Sequence, residues 1–221
     1  FKQQISKKKD QVLFEAWHGS LGIKRFDKNA NAGVAWVKAA ELCGKYTDYC
    51  ISNSDFEDDV YKGTFWEENT ILKYGHPRND ILFLKGDELL EKRQEIALRL
   101  GLDPAKKYIL YGPTFRDSHK FDCYNIDYEK LIQTAGNKFG GEWNVLVRFH
   151  PTVRKNSAQY LKDVEGIIDV TSYPDIQEIM LLADIAITDY SSWIYDFVLT
   201  RRPGFIFATD VYFYNSERGF Y

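Results

Sequence analysis

The chain is 221 residues long and 44% hydrophobic, which is enough to bury the core of one large α/β domain or of two small ones. Its formal net charge of −3 argues against a general nucleic-acid binder, because such proteins carry a basic excess that neutralises phosphates. Three cysteines without a CxxC pair argue against a zinc knuckle or a disulfide framework, and they indicate a reducing compartment.

No apolar stretch approaches the ~20 residues that a membrane-spanning helix needs, and no signal peptide opens the sequence. We therefore expect any membrane contact to be peripheral. The lysines at 7–9 form the densest basic cluster, which is usually solvated surface and alternatively a contact for a membrane or an acidic polymer. The sequence begins at Phe1 rather than at a methionine, and we expect it to be a fragment of a longer protein.

The first half of the chain predicts a β-α-β-α-β order. Short apolar strands are expected at 12–15, 49–51 and 71–74, and apolar residues recur at helical spacing over 30–42. Ser54 and Glu57 fit a capping box, in which the serine caps a helix and the glutamate reaches back to the preceding turn. A second helix should therefore follow Ser54.

The second half begins with a strongly helical segment at 88–100, closed by Gly101 in the position of a C-terminal cap. The remaining elements alternate, with strands at 108–111, 144–149, 167–168, 185–187 and 204–207 and helices at 127–139 and 176–182. This alternation predicts a mostly parallel sheet in each half. We place the domain boundary between residues 80 and 103 and divide the chain into 1–87 and 88–221.

The most informative segment follows the predicted strand at 185–187, where the hydroxyl-rich turn at 188–192 leads into a short helix. The first N–H groups of a helix are unpaired, and its dipole places roughly +0.5 of a charge there, so this turn can hold a phosphoryl group. The ordinary alternative is that Ser191 or Ser192 caps the helix.

Four other segments also put reactive side chains after predicted strands, at 17–20, 75–80, 113–117 and 148–151. In open α/β sheets ligands bind outside the carboxyl ends of the strands. The repeated placement therefore predicts one shared cleft and chemistry on a phosphate.

Two histidines in these segments are candidates for catalysis. His18 lies between Trp17 and Gly19, where the missing side chain lets a substrate approach, and a neutral imidazole with a pKa of about 6.5 can take a proton from a hydroxyl. His150 precedes Pro151 and raises the same question. For both, the alternative is a histidine that is hydrogen-bonded within a turn.

Two arginines are candidates for gripping phosphoryl oxygens, because a planar guanidinium offers two parallel N–H donors. We favour that role for Arg116, which lies in a loop after a strand, and a structural role for Arg148, which lies inside a strand. The sequence contains no dinucleotide fingerprint, Walker loop or HExxH helix, which argues against NAD, P-loop and zinc-protease chemistry.

Six segments, in order along the chain, resemble motifs of the CDP-glycerol glycerophosphotransferases, the family of teichoic acid primases and polymerases. They are W-H-G-S at 17–20 (W-H-G-T in the family), P-R-N-D at 77–80, Y-G-P-T-F-R-D at 111–117 (Y-A-P-T-W-R-D), R-F-H-P at 148–151 (a strand-end H-P), T-D-Y-S-S at 188–192 followed by D-F at 196–197, and E-R-G-F-Y at 217–221 (R-G-F-Y). Six motifs in order argue against a chance match. The departures are Ser20 for threonine, Gly112 for alanine and Phe115 for tryptophan.

The resemblance implies an α/β, GT-B-like architecture of two Rossmann-like parallel-sheet lobes that face a cleft, with 1–87 on the acceptor side and 88–221 holding the nucleotide. Family members transfer glycerol phosphate, or ribitol phosphate in sister enzymes, from a CDP-activated donor to a hydroxyl of a membrane-linked acceptor and release CMP. His18 and His150 fall on the family's essential pair and are implied to be catalytic.

The implied donor-binding residues are Arg116, Asp117, Thr188, Asp189, Ser191 and Ser192. Further cleft residues are Gly19, Ser20, Arg78, Asn79 and Asp80. No carboxylate cluster demands a metal, although a divalent cation could help to neutralise the pyrophosphate.

The implied partners are CDP-glycerol or CDP-ribitol and a lipid-linked polyol-phosphate or glycan acceptor, at the cytoplasmic face of the plasma membrane and without nucleic acid. One alternative is a GT-B glycosyltransferase that uses a nucleotide sugar and attacks an anomeric carbon. Another is a non-catalytic module that binds the polymer or a nucleotide without releasing CMP.

Overall fold

The structure is a computed structural model that describes residues 7–17, 19–25, 33–116, 124–151, 161 and 164–221. The chain divides into two compact units. The first unit comprises the described residues up to Pro77 together with Tyr212–Tyr221, and the second unit comprises those of Arg78–Val211.

The first unit is built on a three-stranded parallel sheet in the order β1-β2-β3. Its elements are β1 (Phe14–Glu15), α1 (Val34–Tyr46), β2 (Tyr49–Ile51), α2 (Asp55–Lys62) and β3 (Thr70–Leu72). The core centres on Trp66 and Tyr61, with Cys43 and Cys50 beside them. Burial raises the pKa of Cys43 to about 11 and that of Cys50 to about 12, so both are protonated thiols.

The second unit is built on a five-stranded parallel sheet in the order β6-β5-β4-β7-β8. Its strands are β4 (Lys107–Tyr111), β5 (Trp143–Val147), β6 (Ile167–Asp169), β7 (Ile185–Thr188) and β8 (Gly204–Ile206). The helices are α3 (Gly86–Arg99), α4 (Tyr128–Phe139), α5 (Ile176–Leu182), α6 (Trp193–Phe197) and α7 (Val211–Arg218), which ends in the first unit.

The central strand β4 is apolar from Tyr108 to Tyr111, and all four of these residues are buried. Tyr108 and Leu110 lie in one hydrophobic cluster, and Ile109 and Tyr111 lie in another. Successive side chains of a strand point to opposite faces, so the two clusters occupy opposite faces of the sheet.

The strand order of the second unit reverses beside β4. From β4 the chain passes to β5 and β6 on one side, and β7 and β8 then line up on the other side. The carboxyl ends of β4 and β7 therefore flank a topological switch point, which is where open α/β sheets bind ligands.

The predicted fold class, α/β with a parallel sheet in each half, is confirmed. The predicted strands and helices are present with shifted ends. The helix expected at 30–42 is observed from Val34 to Tyr46, and β5 ends at Val147 rather than at 149. A 3₁₀ helix at Pro77–Phe83 was not predicted. None of the helices in the described part of the chain combines the length and the apolar character that crossing a bilayer requires.

The division between the units falls ten residues earlier than the expected 87/88 boundary, because Leu82 is buried in the core of the second unit. The last ten residues belong to the first unit rather than to the second. There the Tyr214 ring stacks on Phe220, which forms a β-bridge with Lys24, and Tyr221 packs edge-on against Phe56.

Candidate functional site

The ends of β4 and β7 are fastened together at the switch point. The Thr188 hydroxyl donates a hydrogen bond of 2.6 Å to the Gly112 carbonyl, and the Trp193 indole N–H donates to the same oxygen at 3.2 Å. One Asp189 carboxylate oxygen accepts from the backbone N–H of Thr114 at 2.7 Å. Two of the sequence motifs are therefore in direct contact, although about 75 residues separate them.

Arg116 lies at the centre of this contact and is only 1% exposed. Its Nη2 donates to Asp189 at 2.8 Å and to Asp210 at 2.9 Å, and its Nε donates to Asp210 at 2.8 Å. Its Nη1 donates to the Thr114 carbonyl at 2.6 Å. The guanidinium thus joins the loops after β4, β7 and β8, and its contacts are those of a residue that builds the site.

The Arg116–Asp189–Asp210 cluster also includes the ring of Tyr190. The guanidinium carbon lies 5.0 Å from the ring centroid, and the Tyr190 hydroxyl donates to Asp210 at 2.9 Å. The Arg116 hydrogen bond holds the pKa of Asp210 below its usual value, whereas burial and the bond to Asp210 raise the pKa of Tyr190. Asp210 is therefore ionised and Tyr190 is neutral at physiological pH.

Ser191 and Ser192 are partly exposed at the same edge of the sheet. Ser192 is the residue before α6, and its side chain makes no capping hydrogen bond. The capping explanation therefore does not account for Ser192. Thr188 and Asp189, by contrast, are buried and hydrogen-bonded within the protein.

Arg78 and Asn79 anchor α6 at the buried residue Asp196. The Asn79 amide donates to the buried Asp196 carboxylate at 2.8 Å, and Arg78 Nε donates to the same carboxylate at 3.2 Å. The Gln177 amide donates to Asn79 at 3.4 Å. The adjacent Asp80 is exposed. Arg78 and Asn79 thus belong to the second unit, where they anchor the helix that follows Ser192.

His150 follows β5 and is exposed, with its ring 5.7 Å from that of Phe115. Phe115 immediately precedes Arg116, so His150 lies at the same sheet edge as the cluster. Arg148 points elsewhere and donates from Nη1 to the carbonyls of Val170 and Tyr173. These contacts bear out the predicted structural role of Arg148, whose pKa is lowered by burial.

In the first unit, Gly19 and Ser20 are buried, and the Ser20 hydroxyl accepts a hydrogen bond of 2.7 Å from the Asn53 amide. His18 and Asp117 lie outside the described residues. Within the described ranges, no three His, Cys, Asp or Glu side chains are grouped as metal ligands.

Three important residues escaped the sequence analysis as site residues. Asp210 follows a predicted strand, and that position could have marked it as a partner for Arg116. Asp196 was noted only as part of a motif, and Glu57 only as a helix cap. Their roles depend on contacts that cross 19 to 118 residues, which spacing in one sequence does not reveal.

Comparison with known proteins agrees with the family that the motifs resemble. The model of the CDP-Glycerol:Poly(glycerophosphate) glycerophosphotransferase family matches residues 1–221. The chain is an α/β protein with buried motif residues at the switch point of a sheet. It belongs to the family of CDP-glycerol:poly(glycerophosphate) glycerophosphotransferases.

The relatives include several teichoic acid enzymes. The chain is 32% identical to a teichoic acid poly(glycerol phosphate) polymerase of Staphylococcus epidermidis, over 98% of this chain and 31% of the polymerase. It is 30% identical to a teichoic acid glycerol-phosphate primase of Bacillus spizizenii, over 97% of this chain and 55% of the primase.

The solved structure of the wall teichoic acid polymerase TagF superposes with a TM-score of 0.77 at 30% identity, covering 98% of this chain and 54% of TagF. A fold of the GT-B-like kind is thus shared with that polymerase. The chain spans between about a quarter and somewhat over half of the length of the relatives that it matches.

Proposed function

We propose that the protein containing this chain transfers glycerol phosphate from CDP-glycerol to a hydroxyl of a teichoic acid or related cell-surface polymer and releases CMP. Family membership supports this proposal, as does a structure of a TagF histidine-to-asparagine variant soaked with CDPG. The observation that carries it is the buried Arg116–Asp189–Asp210 cluster, which couples two of the family's motifs at the switch point of the sheet.

The second unit is the proposed donor site. Ser191 and Ser192 would contact the pyrophosphate, because their side chains are partly exposed beside the switch point. Asp117, the residue after Arg116 in the sequence, is a further proposed contact for CDP-glycerol. Arg116, Thr188 and Asp189 would hold the loops of the donor site in place, since their polar groups are already hydrogen-bonded to protein atoms. Arg78 and Asn79 would set the direction of α6.

The proposed reaction is an in-line displacement at the glycerol-bearing phosphorus. His18 would take the proton from the acceptor hydroxyl as its oxygen forms the new P–O bond, and the bond to the CMP oxygen would break. His150, which is exposed at the donor-site edge, would stabilise charge on the phosphoryl oxygens or on the departing CMP. The general base, His18, would contribute on the order of 10²–10⁴-fold to the rate.

The proposed acceptor is a lipid-linked polyol-phosphate polymer, and the proposed place of action is the cytoplasmic face of the plasma membrane, with peripheral attachment. The names of the relatives as teichoic acid polymerases and primases support a polymer acceptor. Sedimentation of the full-length protein with anionic and neutral vesicles tests the attachment, and a protein that stays in the supernatant with both contradicts it.

Release of CMP tests the function directly. The full-length protein is incubated with a polyol-phosphate acceptor and with CDP-glycerol, CDP-ribitol or UDP-glucose, each with and without EDTA. We expect CMP from CDP-glycerol. Transfer from UDP-glucose alone would identify a glycosyltransferase, and nucleotide binding without CMP or UDP release would identify a non-catalytic module. A loss of rate with EDTA would show that a divalent cation takes part.

A further inference from the structure

A buried carboxylate in the first unit binds three loops at once. Glu57 lies in the first turn of α2 and is 0% exposed. Its Oε1 accepts a hydrogen bond of 3.0 Å from the Leu21 backbone N–H, after β1, and its Oε2 accepts one of 2.7 Å from the Asn53 backbone N–H, after β2. His76, after β3, places Nε2 at 2.9 Å and 3.1 Å from the two oxygens.

The capping box accounts for only part of this arrangement. Ser54 Oγ accepts from the Glu57 N–H as expected, and the Glu57 side chain reaches back to Asn53, one residue before the cap. A capping box needs neither the contact with Leu21 nor the contact with His76. Through these two contacts the carboxylate connects its own helix to the loops after β1 and β3.

The loop after β1 is thereby fixed at two neighbouring residues. Ser20 is 2% exposed and accepts from the Asn53 side chain, and Leu21 donates to Glu57. Ser20 and Leu21 come two and three positions after His18 in the sequence. The two contacts therefore hold the described part of the loop that carries His18.

His76 is a buried hydrogen-bond donor to the Glu57 carboxylate. Its side chain is fully buried, and Nε2 is directed at the carboxylate while Nδ1 has no hydrogen-bond partner among the described residues. Because Nε2 faces carboxylate oxygens, which can only accept, it carries a proton and donates to Glu57.

We infer that Glu57, oriented by His76, is a positioning residue for the loop that carries the base His18. This inference rests on the proposed function. Glu57 touches no reacting atom in this account. It holds the Leu21 amide, and with it the described part of the loop after β1, in whose sequence His18 is the proposed base. Misplacement of a catalytic group by about 1 Å can cost about 10²-fold in rate, so a single lost hydrogen bond in this loop should be measurable.

Four variants of the full-length protein test the inference. Glu57→Gln places an amide N–H₂ opposite a backbone N–H and so breaks one of the two loop contacts. His76→Leu removes the donor to Glu57, and His76→Gln keeps an N–H at a similar reach. Glu68→Gln makes the same chemical change as Glu57→Gln at an exposed position of the same unit and serves as the control.

Two readouts separate positioning from general stability. Hydrogen exchange of the Leu21 amide reports the loop contact. Separate measurements of kcat and of the CDP-glycerol dissociation constant distinguish an effect on catalysis from an effect on donor binding. For Glu57→Gln we expect faster exchange at Leu21 and a kcat lower by about 10- to 100-fold, with donor affinity near that of the wild type. His76→Leu should act in the same direction, and His76→Gln and Glu68→Gln should resemble the wild type.

Wild-type exchange at Leu21 in Glu57→Gln would overturn the inference, and so would faster exchange with an unchanged kcat. If Glu57→Gln does not fold, the two His76 variants decide, because equal kcat values in His76→Leu and His76→Gln contradict the positioning role. If the wild type releases no CMP, the proposed function fails, and unchanged exchange at Leu21 would then refute the loop contact separately.

Discussion

The partners of Arg116 lie 73 and 94 residues further along the chain, at Asp189 and Asp210. A guanidinium after a strand, taken alone, suits a phosphoryl group equally well. The sequence therefore predicted the right loop for Arg116 but not its contacts. In the structure the buried guanidinium lies between two carboxylates and donates its hydrogen bonds inside the protein.

Replacing Arg116 should destabilise the second unit. In Arg116→Met a side chain of similar length leaves two carboxylates without their cation, and breaking a buried ion pair in this way costs about 3–5 kcal/mol. Urea unfolding of the full-length protein, monitored by hydrogen exchange of amides in the second unit, measures the loss of unfolding free energy.

Arg99→Met is the matched control, because Arg99 pairs with Glu178 at the protein surface. We expect a much smaller loss of stability there, since surface ion pairs contribute little. Equal stability of the Arg116→Met variant and the wild type would show that the cluster does not stabilise the fold.

The cluster should also give the protein a dependence of stability on pH. The Arg116 hydrogen bond lowers the folded-state pKa of Asp210, whose unfolded value is about 3.9. A lowered carboxyl pKa stabilises the fold above the unfolded value, and this contribution is lost as the pH falls through the folded value.

We therefore expect the unfolding free energy of the wild type to decrease as the pH falls below about 4, and to decrease less in Asp210→Asn. Urea unfolding over a pH series measures both slopes. Identical slopes for the two proteins would remove Asp210 from this explanation.

At the scale of the element, α6 has only five residues and is held from both ends. Thr188 and Trp193 fasten its start to Gly112, and Asn79 and Arg78 fasten Asp196 on its inner side. A helix this short gains little stability from its own hydrogen bonds, so its place depends on these contacts.

Asn79→Ala should loosen α6. The change removes the amide that donates to the buried Asp196 carboxylate, and one lost hydrogen bond to a buried charged group costs about 1–3 kcal/mol. Donor affinity, measured by calorimetry with CDP-glycerol, should fall as well. Asp80→Ala changes the exposed neighbour and should keep wild-type stability. Wild-type stability and affinity in Asn79→Ala would contradict the anchoring role.

Gly112 and Trp193 form a matched pair. A Cβ at Gly112 would lie 2.8 Å from the Trp193 ring, so the alanine of the family motif does not fit beside this tryptophan. Gly112→Ala should cost about 1–3 kcal/mol through overpacking, and the added change Trp193→Leu should recover part of that loss.

Gly33→Ala provides the control for this pair, because a Cβ at Gly33 meets nothing within 4 Å. Urea unfolding of the single and double variants gives the coupling energy. Additive losses in the double variant would show that the two residues act independently.

The local pattern of the sequence was sufficient to predict most strands and helices. The apolar run at β4 and the Ser54 cap of α2 were recognised because their signals lie within a few residues. The 3₁₀ helix at Pro77–Phe83 was missed, since Leu82 is its one buried apolar residue and no periodic pattern marks it. The helix α7 was also missed, because only its last two residues had been interpreted, as part of the motif at 217–221.

At the scale of the whole molecule, the chain forms two α/β units and belongs to a family of glycerophosphotransferases. The second unit contains the buried cluster of the proposed donor site, and the first contains the loop that follows His18. The sequence placed these segments in order, but it did not show that 78–87 belong with the second unit. That assignment depends on long-range burial of Leu82 and on the contact of Asn79 with Asp196.

The most direct test of the central claim is CMP release by the full-length protein and its His18→Ala variant, measured with CDP-glycerol and a polyol-phosphate acceptor. We predict that the wild type releases CMP and that His18→Ala lowers kcat by at least ~100-fold with donor affinity nearly intact, because a general base acts on the acceptor hydroxyl. A wild type that releases no CMP from CDP-glycerol, or a His18→Ala variant with wild-type turnover, would contradict the account.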